Sequence, residues 1–243
     1  MAFEKVTLLG TGLMGLPMAR NLAQAGVPLT VWNRTAAKAR SLEAHGVHVA
    51  ETLAEAVTGA DIVISMLSDG PTVLGVVSDV SGSLSDGALW IDMSSTKPEE
   101  ARAEAAALAA VGVAHLDAPV SGGTKGAEAA SLAIMVGGST TDLARAQPVL
   151  EAMGRPVYVG PSGSGQLSKL CNQAIVAVTI GAVAEAMLLA EKGGADPAAL
   201  RAALKGGFAD STILQHHGGR MTTGNFEPGG LSNFQLKDLH NVM

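Results

Sequence analysis

Cysteine is almost absent from this sequence. Cys171 is the single cysteine among 243 residues, which excludes an internal disulfide and any metal site built from several thiolates. His216 and His217 have no carboxylate or cysteine at ligand spacing, so a solvated helix end explains them better than a metal site, and no metal is expected. A lone thiol and the lack of a signal-peptide pattern predict a cytoplasmic protein.

Basic and aromatic residues are also scarce. Aromatic residues make up 3% of the chain, and 16 lysines and arginines face 22 aspartates and glutamates, for a net charge of −6. Because no block of basic residues appears, nucleic acid and anionic membrane surfaces are poor partners. The uncharged run 170–184 contains Asn172 and Gln173 and falls short of the roughly 20 apolar residues of a membrane span. We therefore expect a largely buried helix there and no membrane partner.

What the sequence does have is a regular alternation of short apolar runs and helical stretches. This alternation predicts a parallel sheet with helices on both faces. Strands are predicted at 5–10, 28–32, 61–67, 88–93, 113–118, 131–138 and 155–160, and helices at 14–25, 35–45, 52–58, 71–78, 97–111 and 140–152.

The character of the chain changes after Gly165. Helices are predicted at 163–192, 197–205, 211–221 and from Leu231 onward. The predicted architecture is therefore an α/β Rossmann-type domain over 1–162, followed by a smaller all-α domain over 163–243. The final stretch opens a helix with no stop signal, so we expect that domain to be incomplete at its C-terminus.

A glycine-rich segment follows the first predicted strand and opens the first helix. It has the spacing Gly10-x-Gly12-x-x-Gly15, with Leu13 and Met14 in between. In that context the glycines allow a tight turn, close approach to a pyrophosphate and close helix packing, and the helix start holds the phosphates. The alternative is a glycine-rich turn without a ligand.

The end of the second strand indicates which dinucleotide binds. An NAD enzyme usually carries a carboxylate there for the ribose 2′-hydroxyl, whereas this chain has Asn33, Arg34 and Thr35. Because Arg34 can pair with a 2′-phosphate and stack on adenine, we predict NADP(H) over NAD(H). Alternatively, Arg34 is a solvated turn residue.

Two more loops, 66–73 and 92–96, leave the carboxyl ends of strands, where ligands bind in open α/β sheets. A third loop combines a serine hydroxyl with bare glycine amides, which suits a carboxylate. Candidates for the adenosine and the nicotinamide ribose are Met66, Leu67 and Val73, candidates for the nicotinamide end are Ser95 and Thr96, and candidates for a substrate carboxylate are Ser121, Gly122 and Gly123. By residue type alone, each set is also consistent with an ordinary turn.

Four motifs together resemble the β-hydroxyacid dehydrogenase family. They are "GTGLMGLPMARNL", "DAPVSGG", "GQLSKLCNQ" and "KDL", in the family's order and across almost the whole chain. The family includes 3-hydroxyisobutyrate dehydrogenases, tartronate semialdehyde reductases and glyoxylate/succinic semialdehyde reductases. The resemblance implies a Rossmann-type domain, then an all-α domain, with the active site between them.

The resemblance also implies residue roles. Lys169 would be catalytic, Asn172 would help to orient the substrate, and Thr96 and Lys237 would lie near the cofactor. Ser121, Gly122 and Gly123 would lie at the substrate carboxylate. Gln173 departs from the family pattern, which has a second asparagine there, and family members continue for several helices beyond the "KDL" motif.

The chemistry that follows is hydride transfer between NADP(H) and a short 3-hydroxy acid or its semialdehyde: 3-hydroxyisobutyrate, tartronate semialdehyde, glyoxylate or succinic semialdehyde. Lys169 would give the proton that the carbonyl oxygen needs and remove it in the oxidation direction. Without the resemblance, Lys169 is equally a surface lysine at a helix end.

Two other functions remain open at the level of sequence. Imine reductases share the fold but usually have Asp or Tyr where this chain has Lys169, and a non-catalytic NADP-binding protein would be expected to have lost that lysine. The long apolar helix is consistent with a homo-oligomer, a dimer or tetramer, and equally with a buried core helix.

Overall fold

The computed structural model describes residues 3–227 and 232–242. It separates into two units, Met1–Lys169 and Leu170–Met243. The boundary lies inside a long helix, several residues after the predicted boundary between 162 and 163.

A nine-stranded sheet forms the centre of the first unit. Its strands are β1 (Val6–Leu9), β2 (Leu29–Trp32), β3 (His48–Val49), β4 (Ile62–Ser65), β5 (Leu89–Asp92), β6 (Ala114–Asp117), β7 (Val120–Ser121), β8 (Leu132–Gly137) and β9 (Gly154–Gly160). The order is β3-β2-β1-β4-β5-β6-β8-β7, with β9 paired to β8. Strands β1 to β6 run parallel, as in a Rossmann-type sheet. The pairs of β8 with β6 and β7 are antiparallel.

Helices connect the strands of the first unit. They are α1 (Gly15–Gln24), α2 (Leu53–Val57), α3 (Gly70–Val80), α4 (Pro98–Ala109), α5 (Gly123–Glu128) and α6 (Thr140–Glu151). The helix predicted over 35–45 was wrong, since Ala36–Lys38 and Arg40–His45 form 3-10 turns. Ala39 and Leu42 are fully buried three residues apart, which matches the three residues per turn of a 3-10 helix.

The predicted loop of Ser121, Gly122 and Gly123 contains parts of two elements, β7 and α5. Val120 pairs with Ile134 in an antiparallel ladder, because the apolar Val120 is buried at the edge of the core. Gly122 turns the chain with a φ of +136°, and α5 follows at once. The short strands β3 and β7 were not predicted, since two residues are too few to show a period.

Two apolar clusters fill the first unit, one on each face of the sheet. Adjacent residues of one strand point to opposite clusters: Leu8 and Ile64 belong to the first, Leu9 and Val63 to the second. This alternation follows from the pleat of a strand. A parallel sheet with both faces covered needs such strands, so the runs of Val, Ile and Leu in the sequence are explained.

The second unit is all-helical. Helix α7 (Ser164–Lys192) enters it from the first unit and is followed by α8 (Pro197–Leu204), a π-helical turn (Leu214–Gly218), α9 (Gly219–Thr222) and α10 (Ser232–Val242). Its buried cluster consists of Val183, Met187 and Leu214. The predicted architecture, an α/β Rossmann-type domain followed by a smaller all-α domain, is confirmed.

The expectation that α7 is largely buried was wrong. Ile175 is 66% exposed, Val178 74% and Leu189 74%, and Cys171 is exposed as well. The composition of α7 predicts an apolar helix, but it does not predict whether other residues of the same chain bury that helix.

By length and composition α7 is also long and apolar enough to cross a membrane, with a mean hydropathy of 1.9 in its most apolar window. This corrects the expectation that the run is too short. A single such helix is weak support for a membrane span.

Candidate functional site

The glycine-rich turn between β1 and α1 is tightly built. A side chain on Gly10, whose φ is +101°, would collide with the carbonyl oxygen of Met66, and one on Gly15 would collide with the carbonyl oxygen of Gly10. At Gly12, by contrast, no atom lies within 4 Å of the place of a side chain. The open surface at Gly12, beside the start of α1, fits the pyrophosphate of a dinucleotide.

Asn33, at the end of β2, holds this turn in place. Its Oδ1 accepts a hydrogen bond from the backbone N–H of Thr11 at 3.0 Å, and its Nδ2 donates to the carbonyl of Thr35 at 2.9 Å. Arg34 and Thr35 are exposed, so the guanidinium of Arg34 is accessible to a ligand. The Oγ1 of Thr11 is buried without a partner among the described residues, which leaves a polar atom at the turn for a bound group.

The loops after β4 and β5 touch each other. The backbone N–H of Leu67 donates to Ser94 Oγ at 2.9 Å, which places Leu67 and Met66 beside the loop of Ser95. Val73 is fully buried in the second apolar cluster. Its side chain packs α3 against the sheet, and its predicted contact with a cofactor stays a prediction.

Buried polar groups fix the loop of residues 94–96, called the 94–96 loop below. The side chain of Gln166 accepts a hydrogen bond from the backbone N–H of Thr96 at 3.0 Å and donates one to the carbonyl of Ser94 at 2.8 Å. Asp117, at the end of β6, accepts from the backbone N–H groups of Gly163 at 2.8 Å and Gln166 at 2.9 Å. Sequence reasoning missed Gln166 and Asp117, although Gln166 lies inside the "GQLSKLCNQ" motif.

Lys169 follows Gln166 by three residues in α7 and is 8% exposed. A buried ammonium is costly unless other groups interact with it, and Lys169 does have interactions within the described structure. This burial argues against the interpretation of Lys169 as a solvated lysine at a helix end.

The predicted carboxylate cradle combines the end of β7 with the start of α5. Ser121 is partly buried at the end of β7. Gly122 and Gly123 have φ values of +136° and +60°, which L-residues with side chains rarely adopt. The glycines in "DAPVSGG" are thus required by the turn itself, whether or not a ligand binds.

A cluster of buried ionisable groups lies next to the 94–96 loop. Asp92 Oδ1 accepts hydrogen bonds from Ser65 Oγ at 2.7 Å and from the backbone N–H of Ser94 at 3.1 Å. Burial, and then the charge of Glu104, raises the pKa of Asp92 to about 7.

Glu104 and His115 contact each other at 3.3 Å. Burial, and then the charges of Glu100 and Asp117, raises the pKa of Glu104 to about 8. Burial lowers the pKa of His115. Both groups are therefore neutral at pH 7, and their contact is a hydrogen bond between neutral groups, not an ion pair.

The second unit holds the other two predicted site residues. Asn172 Nδ2 donates to Gln173 Oε1 at 2.8 Å, and Gln173 Nε2 donates to Asp238 Oδ2 at 2.7 Å. Lys237 Nζ lies 3.4 Å from Asp238 Oδ1. Gln173, which appeared only as a departure from the family pattern, connects α7 to the "KDL" segment of α10.

His216 lines a cavity of about 570 Å³ in the second unit, and none of its lining residues was predicted as a site. The residues lining it are Asp210, Ser211, Thr212, Gln215 and His216. Within residues 3–227 and 232–242, no three His, Cys, Asp or Glu side chains are grouped as metal ligands.

Comparison with known families covers the chain almost end to end. A model described as the NAD binding domain of 6-phosphogluconate dehydrogenase matches residues 5–160. A second model, described as "NAD-binding of NADP-dependent 3-hydroxyisobutyrate dehydrogenase", matches residues 163–243.

Individual relatives agree with these models. The chain is 43% identical over 242 residues to a 2-hydroxy-3-oxopropionate reductase of Escherichia coli (strain K12), covering 97% of this chain and 82% of the relative. It is 43% identical over 190 residues to an NAD-dependent L-serine dehydrogenase of Pseudomonas aeruginosa, covering 76% of this chain and 64% of the relative.

Solved structures show the same likeness. A Mycobacterium tuberculosis 3-hydroxyisobutyrate dehydrogenase, solved with L-serine, has a TM-score of 0.89 at 37% identity, covering 98% of this chain and 85% of the other. An imine reductase of Streptomyces aurantiacus has a TM-score of 0.74 at 26% identity, covering 91% of this chain and 79% of the other.

Proposed function

Because the chain belongs to the β-hydroxyacid dehydrogenase family, and is thus an NAD(P)-dependent oxidoreductase, we propose that it transfers a hydride between NADP(H) and a short 3-hydroxy acid or its semialdehyde. The observation that carries this proposal is the buried Lys169, three residues after Gln166, whose side chain fixes the 94–96 loop.

Lys169 acts as general acid in the reducing direction. The bound cofactor supplies the hydride. The carbonyl oxygen of the substrate becomes negatively charged as the hydride reaches its carbon, and the ammonium of Lys169 stabilises that charge and donates the proton. In the oxidising direction the neutral amine removes the same proton. Asn172, three residues further along α7, orients the substrate.

The cofactor is assigned as NADP(H) because Arg34 is exposed at the end of β2, where no carboxylate follows the strand. The match of residues 163–243 to a model named for an NADP-dependent enzyme favours the same assignment. The L-serine dehydrogenase relative is NAD-dependent, so relatives of this chain differ in cofactor. Replacing Arg34 with Ala should weaken NADPH binding and leave NADH binding unchanged, and a loss of both would contradict the assignment.

The substrate carries a carboxylate, held by the turn at Ser121, Gly122 and Gly123. Among the candidates, tartronate semialdehyde is favoured by the E. coli relative, whose named substrate, 2-hydroxy-3-oxopropionate, is the same compound. The imine reductases remain the second candidate, since one of them has this fold. Lys169 favours the hydroxyacid branch over that candidate, because imine reductases usually have Asp or Tyr at the corresponding position.

The exposed apolar stripe of α7, formed by Leu167, Ile175, Val178 and Leu189, supports a homo-oligomer, a dimer or tetramer. These residues recur at spacings that place them along one face of a helix, and isolated apolar faces of this length are rare on monomers. A monomeric mass by sedimentation at micromolar concentration would contradict this assignment. A cytoplasmic location is supported by the single cysteine of the chain.

The decisive experiment measures NADPH and NADH oxidation against tartronate semialdehyde, methylmalonate semialdehyde, succinic semialdehyde, glyoxylate and one cyclic imine. We expect turnover of a semialdehyde with NADPH preferred. Lys169→Ala should abolish turnover and change NADPH binding by no more than a few-fold, whereas Lys192→Ala, at the exposed far end of the same helix, should behave as wild type. Full activity of Lys169→Ala would refute the general-acid role.

A further inference from the structure

We propose that Gln166 and Asp117 are positioning residues, which form a buried hydrogen-bonded brace that holds Lys169 in register with the 94–96 loop. The inference rests on the proposed function, because it concerns the placement of the proton donor relative to the loop assigned to the nicotinamide end. All the residues of the brace lie in the first unit.

Asp117 fixes where α7 begins. Its two carboxylate oxygens accept hydrogen bonds from two backbone N–H groups, Gly163 at 2.8 Å and Gln166 at 2.9 Å. The first N–H groups of a helix have no partner within the helix, and a carboxylate there is favoured by the helix dipole as well. Asp117 is fully buried at the end of β6, so the first turn of α7 is attached directly to the sheet.

The backbone of the first turn of α7 packs directly against the ends of β6 and β8. A side chain on Gly165 would collide with the carbonyl oxygens of Asp117 and Met135, and one on Gly137 would press against the Asp117 carboxylate. Since α7 lies this close to the ends of β6 and β8, any displacement of its start would break the contacts of Asp117.

Gln166 connects the same turn to the 94–96 loop. Its side-chain amide accepts from the N–H of Thr96 at 3.0 Å and donates to the carbonyl of Ser94 at 2.8 Å. A side chain at position 166 must therefore offer one donor and one acceptor at its end, and it must be as long as glutamine to reach the loop. A glutamate at neutral pH only accepts, and an asparagine is shorter by one methylene.

Lys169 is one turn further along the same face of α7. The hydrogen bonds of Gln166 therefore fix the first turns of α7, which carry Lys169, relative to the backbone of Thr96. A misplacement of a catalytic group by about 1 Å can lower a rate by roughly 100-fold, so the brace has a catalytic consequence although Gln166 need not touch the substrate.

The first test is Gln166→Met, which keeps the length of the side chain and removes both hydrogen bonds. We expect kcat to fall roughly 10- to 100-fold, with the NADPH dissociation constant within about threefold of wild type, since the phosphates bind at the glycine turn. The control is Gln24→Met, because Gln24 is exposed at the end of α1.

A readout that needs neither cofactor nor substrate accompanies the kinetics. In the free protein, amide hydrogen exchange at Thr96 should accelerate roughly tenfold in Gln166→Met, as one hydrogen bond is lost. The amide of Ser94, whose acceptor is Asp92 Oδ1, should exchange as in wild type. Unchanged exchange at Thr96 would overturn the brace.

Gln166→Glu separates positioning from mere structural support. A protonated glutamic acid offers a donor and an acceptor, as glutamine does, whereas the carboxylate only accepts. The ratio of variant to wild-type kcat should therefore rise as the pH falls for Gln166→Glu and stay flat for Gln166→Met. Equal, pH-independent losses in both variants would contradict the proposal, as would full kcat in a folded Gln166→Met.

The experiments distinguish a wrong reaction from a wrong brace. If wild type turns over none of the panel, the reaction is wrong, and exchange at Thr96 still decides whether the brace exists. If wild type is active and Gln166→Met is equally active, the reaction stands and the brace has no catalytic role.

Discussion

The first unit buries an apolar cluster on each face of its sheet, whereas the buried cluster described in the second unit has three members, Val183, Met187 and Leu214. The second unit instead leaves apolar side chains of α7 in solvent. Because burial of apolar surface is the main favourable term in folding, we expect the first unit to be the more stable of the two. Among the described residues the second unit buries less apolar surface, and the homo-oligomer proposed above would add burial at its exposed face.

The largest expected effect is a difference in stability between the two units. Both tryptophans, Trp32 and Trp90, belong to the first unit, so their fluorescence reports that unit alone, while far-UV circular dichroism also reports the helices of the second. We expect the dichroism of a dilute sample to begin falling at a lower denaturant concentration than the fluorescence.

Paired core variants sharpen this comparison. Ile64 is fully buried in the sheet, and Ile64→Ala should cost about 3–4 kcal/mol and shift the fluorescence transition. Val183→Ala should cost about 1–2 kcal/mol, shift the early part of the dichroism transition and leave the fluorescence unchanged. Coincident transitions that shift together in both variants would mean that the two units unfold as one.

The second expected effect is a pH dependence confined to the first unit. The folded state raises the pKa of Glu104 from 4.5 to about 8, so between these values it holds a proton that the unfolded chain has released. The free energy of unfolding therefore falls as pH rises through this range. Glutamine in place of Glu104 keeps a donor for His115 and does not titrate.

Glu104→Gln should lose less stability between pH 5 and pH 8 than wild type does, by roughly 2–3 kcal/mol, measured from the fluorescence transition. The pH dependence that remains in the variant should be smaller, because the raised pKa of Asp92 makes stability fall with rising pH, whereas the lowered pKa of His115 makes it rise over the acid part of the range. Glu99→Gln, exposed on the same helix, serves as the control and should follow wild type. Identical pH slopes for Glu104→Gln and wild type would show that the carboxyl is already ionised in the folded state.

Features that depend on a local apolar pattern could be predicted from the sequence, whereas features that depend on distant residues could not. The parallel strands were predictable because a strand buried on both faces is a continuous apolar run, as in Ile62–Ser65. The hydrogen bonds of Gln166 were not, since they join residues 70 and 72 positions apart and leave no local pattern. The exposure of α7 was not predictable either, because an apolar helix has the same sequence whether its own chain or another copy covers it.

Helix caps give the smallest effect and the most direct comparison of the two units. Ser139 Oγ accepts from the N–H of Asp142 at 3.0 Å at the start of α6, and Asp196 Oδ1 accepts from the N–H of Ala198 at 2.8 Å at the start of α8. Replacing either residue with Ala should cost about 1 kcal/mol. Ser139→Ala should shift the fluorescence transition and leave the early part of the dichroism transition unchanged, and Asp196→Ala should do the reverse. The fractional loss of stability should be larger for Asp196→Ala, since the second unit has less burial to begin with. Equal fractional losses would mean that the second unit draws its stability from contacts beyond its own small cluster.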